Sequence, residues 1–234
     1  MREQAAKLKE LLCDSLAHCL HALGPDVAVF LSGGLDSSLM LALANEVVGR
    51  PLPAITVAAS LNHPDVKMAC EVARMLGSKH YVHIPSQSDM ARIRIKLWGR
   101  PSDLEATGDG VYYACECAAE HFSAVLSGDG ADELFGGYQD HIKNPVPATF
   151  ENRWNRIWYE QIYPLQRVAI ETGILVALPY MRPEVVDYAW ELPLELKVQG
   201  GVGKVVLREV AQGLVPDYVL IRRKRGFCCA FTNC

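Results

Sequence analysis

The sequence predicts an α/β fold: a parallel sheet with helices on both faces, followed by a mainly helical carboxyl-terminal part. Three observations carry this expectation. Short apolar runs rich in β-branched residues alternate with longer segments of helical periodicity, the pattern of successive βαβ units. The first runs are apolar throughout, as strands covered on both faces require. Two of the runs, at 27–31 and 123–127, lead straight into glycine-rich turns, and such sheets hold ligands beyond the carboxyl ends of their strands.

Taken in order, residues 3–23 place Ala6, Leu8, Leu12, Leu16, Cys19, Leu20 and Leu23 at helical spacing, with Lys7, Lys9, Glu10 and Asp14 between them. This is an amphipathic helix closed by Gly24 and Pro25. Residues 27–31 (Val-Ala-Val-Phe-Leu) form the first buried strand, and Leu39, Met40, Leu41, Leu43 and Ala44 continue a helix after the turn. Residues 53–59 read as a second strand, 64–76 as a helix capped by Gly77, 79–84 as a third strand, and Ser86 opens a further helical stretch. Residues 101–103 mark a loop and 109–122 a helix. Cys115 and Cys117, two apart on that helix, point about 200° from each other and read as packing residues rather than metal ligands. Cys13 and Cys19 read likewise. His63, His80 and His83 share no ligand spacing and read as surface or loop residues. One domain over 1–234 is expected, with a nucleotide-binding core over 1–140 and a mainly helical, substrate-side part over 141–234.

At 234 residues the chain can bury a sizeable core without staples. Its eight cysteines therefore read as reduced thiols. A net charge of −4 disfavours nucleic acid and anionic membranes as partners. No apolar run approaches a membrane span, and the first residues do not resemble a signal peptide, so a cytoplasmic location is expected.

Chemistry concentrates in two stretches. The first is Ser32-Gly33-Gly34-Leu35-Asp36-Ser37-Ser38, between a strand and a helix N-terminus. Backbone N–H groups and the helix dipole favour an anion there, and the glycines permit close approach. The serines add hydroxyl donors, and Asp36 can hold a divalent cation beside phosphates. No Gly-Lys-Ser/Thr follows, so this is not a Walker loop. The second stretch, Ser127-Gly128-Asp129-Gly130-Ala131-Asp132-Glu133-Leu134-Phe135-Gly136-Gly137-Tyr138, again joins a short strand to a glycine turn but carries three acids. Acids beside a phosphate loop call for a cation between them or a proton to move.

The first loop resembles the pyrophosphate loop of the N-type ATP pyrophosphatases, with their adenine nucleotide α-hydrolase-like fold. The second resembles a signature of the asparagine synthetase synthetase domain, shared with β-lactam synthetases. Further segments agree in order. These are the stretch from His63 to Ala69 with Leu76-Gly77, Leu178-Pro179-Tyr180-Met181, the lysine-bearing Gly203-Lys204-Val205-Val206-Leu207-Arg208-Glu209, and the run from Arg222 to Phe227. The resemblance implies that Ser32, Gly33, Gly34, Asp36, Ser37 and Ser38 bind the phosphates of ATP. It implies that Leu31, Ala58, Ser127 and Gly128 line the nucleoside, and that Asp36 and Asp132 coordinate Mg²⁺. Asp129 and Lys204 become the catalytic pair, Lys204 stabilising charge at the phosphates, while Tyr138 and Arg182 face the acceptor substrate. On local sequence alone Lys204 is equally a solvated helix lysine, and residues 222–225 a solvated basic end.

Three departures from the family pattern stand out. The glutaminase domain with its amino-terminal cysteine does not precede these residues, so ammonia, an amine or a separate glutaminase subunit is expected to supply nitrogen. Asp129 replaces the usual Glu, or the Tyr of β-lactam synthetases. Arg182 replaces the Asp of the Pro-Phe-Leu-Asp box, which points to a substrate with a second anionic group, or to an outward ion pair with Glu184 or Asp187. The implied reaction is adenylation of a small-molecule carboxylate with release of pyrophosphate, then amide formation. A tRNA-modifying or sulfur-transferring relative, and a nucleotide-binding protein without catalysis, are the alternatives. The first would want a basic face and a Cys-x-x-Cys pair, which this sequence lacks. A homodimer is left open, and the tail with Cys228, Cys229 and Cys234 reads as a disordered or packed end.

Overall fold

A computed structural model describes residues 1–98 and 106–222 of the chain. Helix α1 (Arg2–Leu23) leads into β1 (Val27–Phe30) and α2 (Leu35–Val48), followed by β2 (Ala54–Val57), α3 (Pro64–Met75) and β3 (His80–His83). Then come α4 (Gln87–Trp98), α5 (Ala106–Ala119) and β4 (Ala124–Leu126). Short helices α6 (Ala131–Phe135) and α7 (Gln139–Lys143) precede α8 (Pro147–Ile157), which passes through a π-helical turn (Trp158–Ile162) into α9 (Tyr163–Thr172). The chain closes with β5 (Leu175–Ala177), a 3-10 turn (Pro179–Met181), α10 (Pro183–Glu191), α11 (Leu194–Lys197), the hairpin β6 (Val198–Gln199) and β7 (Val202–Gly203), α12 (Val205–Ala211) and α13 (Asp217–Ile221).

The five long-range strands form one parallel sheet in the order β3-β2-β1-β4-β5. Successive strand residues face opposite sides, and the core divides accordingly. Val27, Val29, Ala54, Ala124 and Leu126 pack against α1, α2, α3 and α12. Ala28, Ile55, Val57 and Val125 pack against α4, α5 and α9. Both faces are covered at the sheet's centre, which is why β1 and β4 are apolar at every position. The order runs one way from β1 through β2 to β3 and the other way from β4 to β5. The carboxyl ends of β1 and β4 therefore flank a topological switch point, where open α/β sheets form their ligand crevice.

Several expectations are adjusted. Strand β5, exposed or part-exposed at the sheet edge, was not among the expected strands, although residues 174–178 form an apolar run between Gly173 and Pro179. The helix expected over 109–122 is Ala106–Ala119, three residues earlier. His80 and His83 are not surface or loop residues: both lie on β3, where His80 Nε2 is 2.7 Å from Thr56 Oγ1. Burial lowers the His80 pKa to about 4. His63 instead caps α3, its Nδ1 accepting from Asp65 N–H. Cys13, Cys19, Cys115 and Cys117 are free and packed, Cys115 wholly buried. Among the described residues no helix is long and apolar enough to cross a membrane. The loop expected at 101–103 and the tail cysteines lie outside the described residues.

Candidate active site

Residues 32–34 turn the chain from β1 into α2. Gly33 takes φ +68°, a conformation side chains rarely adopt, and a Cβ there would stand 2.7 Å from the backbone nitrogen of Ala69. The loop thus lies directly on α3, and only glycine fits. Ser32 and Ser37 bond one another at 3.0 Å, and Ser32 N–H donates to Ser37 Oγ. Gly34 N–H donates to Ser32 Oγ. Ser38 is fully buried with its hydroxyl unpartnered, deeper than the other two serines. Leu31 N–H and Ala58 N–H are both engaged in the sheet, bonding Ile55 O and His83 O, so neither offers that donor to a nucleobase.

The second loop leaves β4 beside the first: a Cβ on Gly128 would touch Asp36 and Ser37 at 3.6 Å. Ser127 Oγ donates to Asp129 Oδ2 at 2.6 Å, orienting that carboxylate. Asp132, on α6, faces Lys204, whose Nζ stands 2.5 Å from Asp132 Oδ1 and 2.5 Å from Asp36 Oδ2. Lys204 is 4% exposed, so its ammonium is matched by carboxylates rather than by water. Instead of riding a helix, Lys204 precedes α12 with φ +59°, alone among the described non-glycine residues in positive φ. Such strain persists where surrounding contacts hold it, and here Lys204 N–H donates to Phe135 O. Gly137 completes the clamp, since a Cβ there would lie 1.7 Å from Asp132 Oδ1 and 2.6 Å from Lys204 Cε.

Asp36, Asp132 and Lys204 are thereby brought together across 168 residues of chain. The donor set fits Mg²⁺: Asp36 Oδ1 is buried without a partner, and Mg²⁺ is held by one or two carboxylates together with phosphate oxygens. Tyr138 is fixed from behind. Its hydroxyl donates to Glu133 Oε1 at 2.6 Å, and Gln161 Nε2 donates to both. Burial raises the pKa of Glu133 and of Tyr138. Gln161 reaches this pair from the π-helical turn, a distortion frequent at functional sites. Arg182 takes the outward alternative, pairing loosely with Glu184 at 3.5 Å, while its Nε is buried without a partner.

Sequence reasoning missed two groups. Tyr180, 1% exposed, donates to Asp36 O at 3.1 Å and so pins the start of α2. It lay inside a recognised segment, but its partner is 144 residues away and leaves no local signal. Arg222 is not part of a solvated end, since its side chain is 11% exposed and pairs with Asp65. Residues 223–227 lie outside the described residues.

Comparison with known proteins bears on the family and the fold. The asparagine synthase family profile matches residues 7–166 and 143–233. The human glutamine-hydrolysing asparagine synthetase is 27% identical over 243 residues, covering 96% of this chain and 41% of its own. Asparagine synthetase B of Escherichia coli is 28% identical over 244 residues, covering 94% and 44%. A putative asparagine synthetase of Methanocaldococcus jannaschii is 27% identical, covering 86% and 44%. The chain thus spans less than half the length of these relatives. Among solved structures, the NMN synthetase of Francisella tularensis superimposes with a TM-score of 0.51 at 17% identity, over 98% of this chain and 76% of that one. That likeness concerns the fold.

Proposed function

This chain belongs to the asparagine synthase family, and on that premise we propose that it is an ATP-dependent, AMP-forming carbon–nitrogen ligase. It adenylates a carboxylate with release of pyrophosphate and passes the acyl group to ammonia or an amine. The observation that carries this reading is the buried Lys204 between Asp36 and Asp132, beside a serine- and glycine-rich turn at the sheet's switch point. The loop N–H groups and the hydroxyls of Ser32 and Ser37 bind the phosphates, Ser38 supporting them from below. Leu31, Ala58, Ser127 and Gly128 flank the nucleoside. Asp36 and Asp132 hold Mg²⁺, which shields phosphate charge when bound. Holding both reactants in line removes much of the entropic barrier, and Lys204 stabilises charge growing on the α-phosphate and the departing pyrophosphate.

Asp129, oriented by Ser127, is the proton acceptor for the attacking amine, and Tyr138 borders the acyl substrate. Although it turns outward to Glu184 here, Arg182 would, on leaving that pair, select an acid with a second anionic group. Its exposed link to Glu184 is long and weak, and its buried Nε lacks an acceptor, so a carboxylate gains from binding there. A glutaminase domain or subunit is one source of ammonia, as the names of the relatives indicate for those proteins. We place the reaction in the cytoplasm, where ATP is available and the free cysteines stay reduced.

The test is a screen of carboxylic acids, with ammonia and MgATP, that follows both pyrophosphate and nucleotide. AMP and pyrophosphate in equal amounts are expected, with dicarboxylates carrying a further anion outperforming aspartate. ADP as the sole nucleotide product overturns the reading.

A further inference from the structure

Two arginines outside the reacting groups join the site's halves. Arg208, on α12, donates from Nε to Gly203 O at 2.8 Å, the carbonyl directly before Lys204. Its Nη1 reaches Leu220 O, and its Nη2 donates to Arg222 O at 3.2 Å. Burial lowers its pKa, the Asp36 charge opposing that shift, yet a guanidinium remains protonated. Arg222, just past α13, turns its own guanidinium the other way. Nη2 pairs with Asp65 in the first turn of α3, and Nη1 donates to Ser32 O at 3.4 Å. Asp65 is itself buried, and Gly33 lies directly on Met68 and Ala69 of that same helix.

The contact at Ser32 O has a consequence for the loop. In a trans peptide the carbonyl and the following N–H point opposite ways. Holding Ser32 O therefore fixes the direction of the Gly33 N–H, one of the donors at the anion site. The contact at Gly203 O fixes, by the same rule, the peptide that enters Lys204 in its strained conformation. An arginine serves here because its planar fork can grip two acceptors at once, which an ammonium cannot do in the same geometry.

We propose that Arg208 and Arg222 are positioning residues that form one strap, running from the Lys204 turn through α13 to the phosphate loop. The strap sets the loop amides and Lys204 in a common geometry, so nucleotide affinity depends on it. This rests on the reading of the site as an ATP site. Arg92, which bonds both carboxylate oxygens of Glu116 between α4 and α5, lies outside the strap and serves as a control.

The test is calorimetric titration of the full chain with magnesium α,β-methylene-ATP, which requires no acid substrate. Arg222→Met is expected to weaken binding about 10-fold or more, equivalent to about 1.4 kcal/mol. Arg222→Lys should not restore it. Arg92→Met, the same kind of change in an exposed ion pair, should leave affinity unchanged. Because one strap is cut in either case, Arg208→Met combined with Arg222→Met should weaken binding little beyond the worse single variant. Where a methionine variant fails to fold, Arg222→Gln and Arg208→Gln keep a single donor and give the same comparison. Equal affinity in wild type and Arg222→Met, or fully multiplicative losses in the double variant, overturns the strap alone. A wild type that does not bind the nucleotide overturns the ATP reading and the strap with it.

Discussion

Lys197 and Lys204 are nearly equally buried, at 2% and 4% exposure, yet their surroundings differ in kind. Lys204 stands between two carboxylates, 2.5 Å from each. Lys197, at the end of α11, lies between the rings of Phe150 and Trp190, its Nζ 5.0 Å from each centroid. Ring faces attract a cation but do not replace its hydration, and burial lowers the Lys197 pKa to about 8. The same residue type thus serves two ends a few residues apart. One ammonium is matched by charge between Asp36 and Asp132; the other is tolerated behind the second glycine loop, where its long stem fills space.

Removing each lysine breaks the pair in opposite directions. Lys204→Met leaves Asp36 and Asp132 facing each other without a cation and removes the group proposed to stabilise phosphate charge. Pyrophosphate release should fall on the order of 10²-fold or more. A rate that survives intact overturns the role given to Lys204.

Lys197→Met should instead stabilise the fold by about 1–3 kcal/mol at pH 7, because a desolvated charge gives way to an apolar chain of similar length. The sign also predicts a pH dependence. The folded pKa is below the unfolded one, so between about pH 8 and 10.5 the unfolded state binds more protons, and wild-type stability rises with pH across that window. The variant should lose that rise while keeping the wild-type rate. Urea unfolding at pH 7 and pH 9.5 checks both points; a destabilised variant with an unchanged pH slope counts against this account.

The contrast also marks what the sequence reveals. Both glycine loops were legible because each couples a strand, a turn and a helix start within a dozen residues, and the parallel sheet followed from alternation. The roles proposed for Asp36, Asp132 and Lys204 came from resemblance to a family, since locally Lys204 is indistinguishable from a solvated helix lysine. Its left-handed backbone depends on Phe135 O and on close approach to Gly137, contacts no local pattern encodes. Tyr180 and Arg222 were illegible for the same reason: each acts on a partner more than a hundred residues away. Strand β5 left a signal, an apolar run over 174–178 after Gly173, but so short a run does not separate a strand from a buried helix segment by periodicity. His80 and His83 were misread because ionisable side chains at the two ends of a four-residue strand read locally as exposed, whereas packing against neighbouring elements decides their state.

The smallest effect concerns His141, which shares the Phe150 ring with Lys197. Its own ring stacks on Phe150 at 4.2 Å with planes 6° apart, and it also lies 5.6 Å from the Tyr138 ring. His141 is fully buried, with neither ring nitrogen partnered. Burial lowers its pKa to about 4, Asp140 opposing that shift and Arg153 adding to it. An unfolded histidine titrates near 6.5, so as pH falls from 7 toward 4 the unfolded state takes up a proton first, and stability is lost across that window. His141→Phe keeps the stacked aromatic shape and removes both unpartnered nitrogens. The variant should be more stable by roughly 1 kcal/mol at pH 7, and its advantage should widen by on the order of 1–2 kcal/mol at pH 5. His80 and the carboxylates titrate in both proteins and cancel in the difference. Parallel stability curves between pH 7 and 5 would show that His141 is not held neutral by burial.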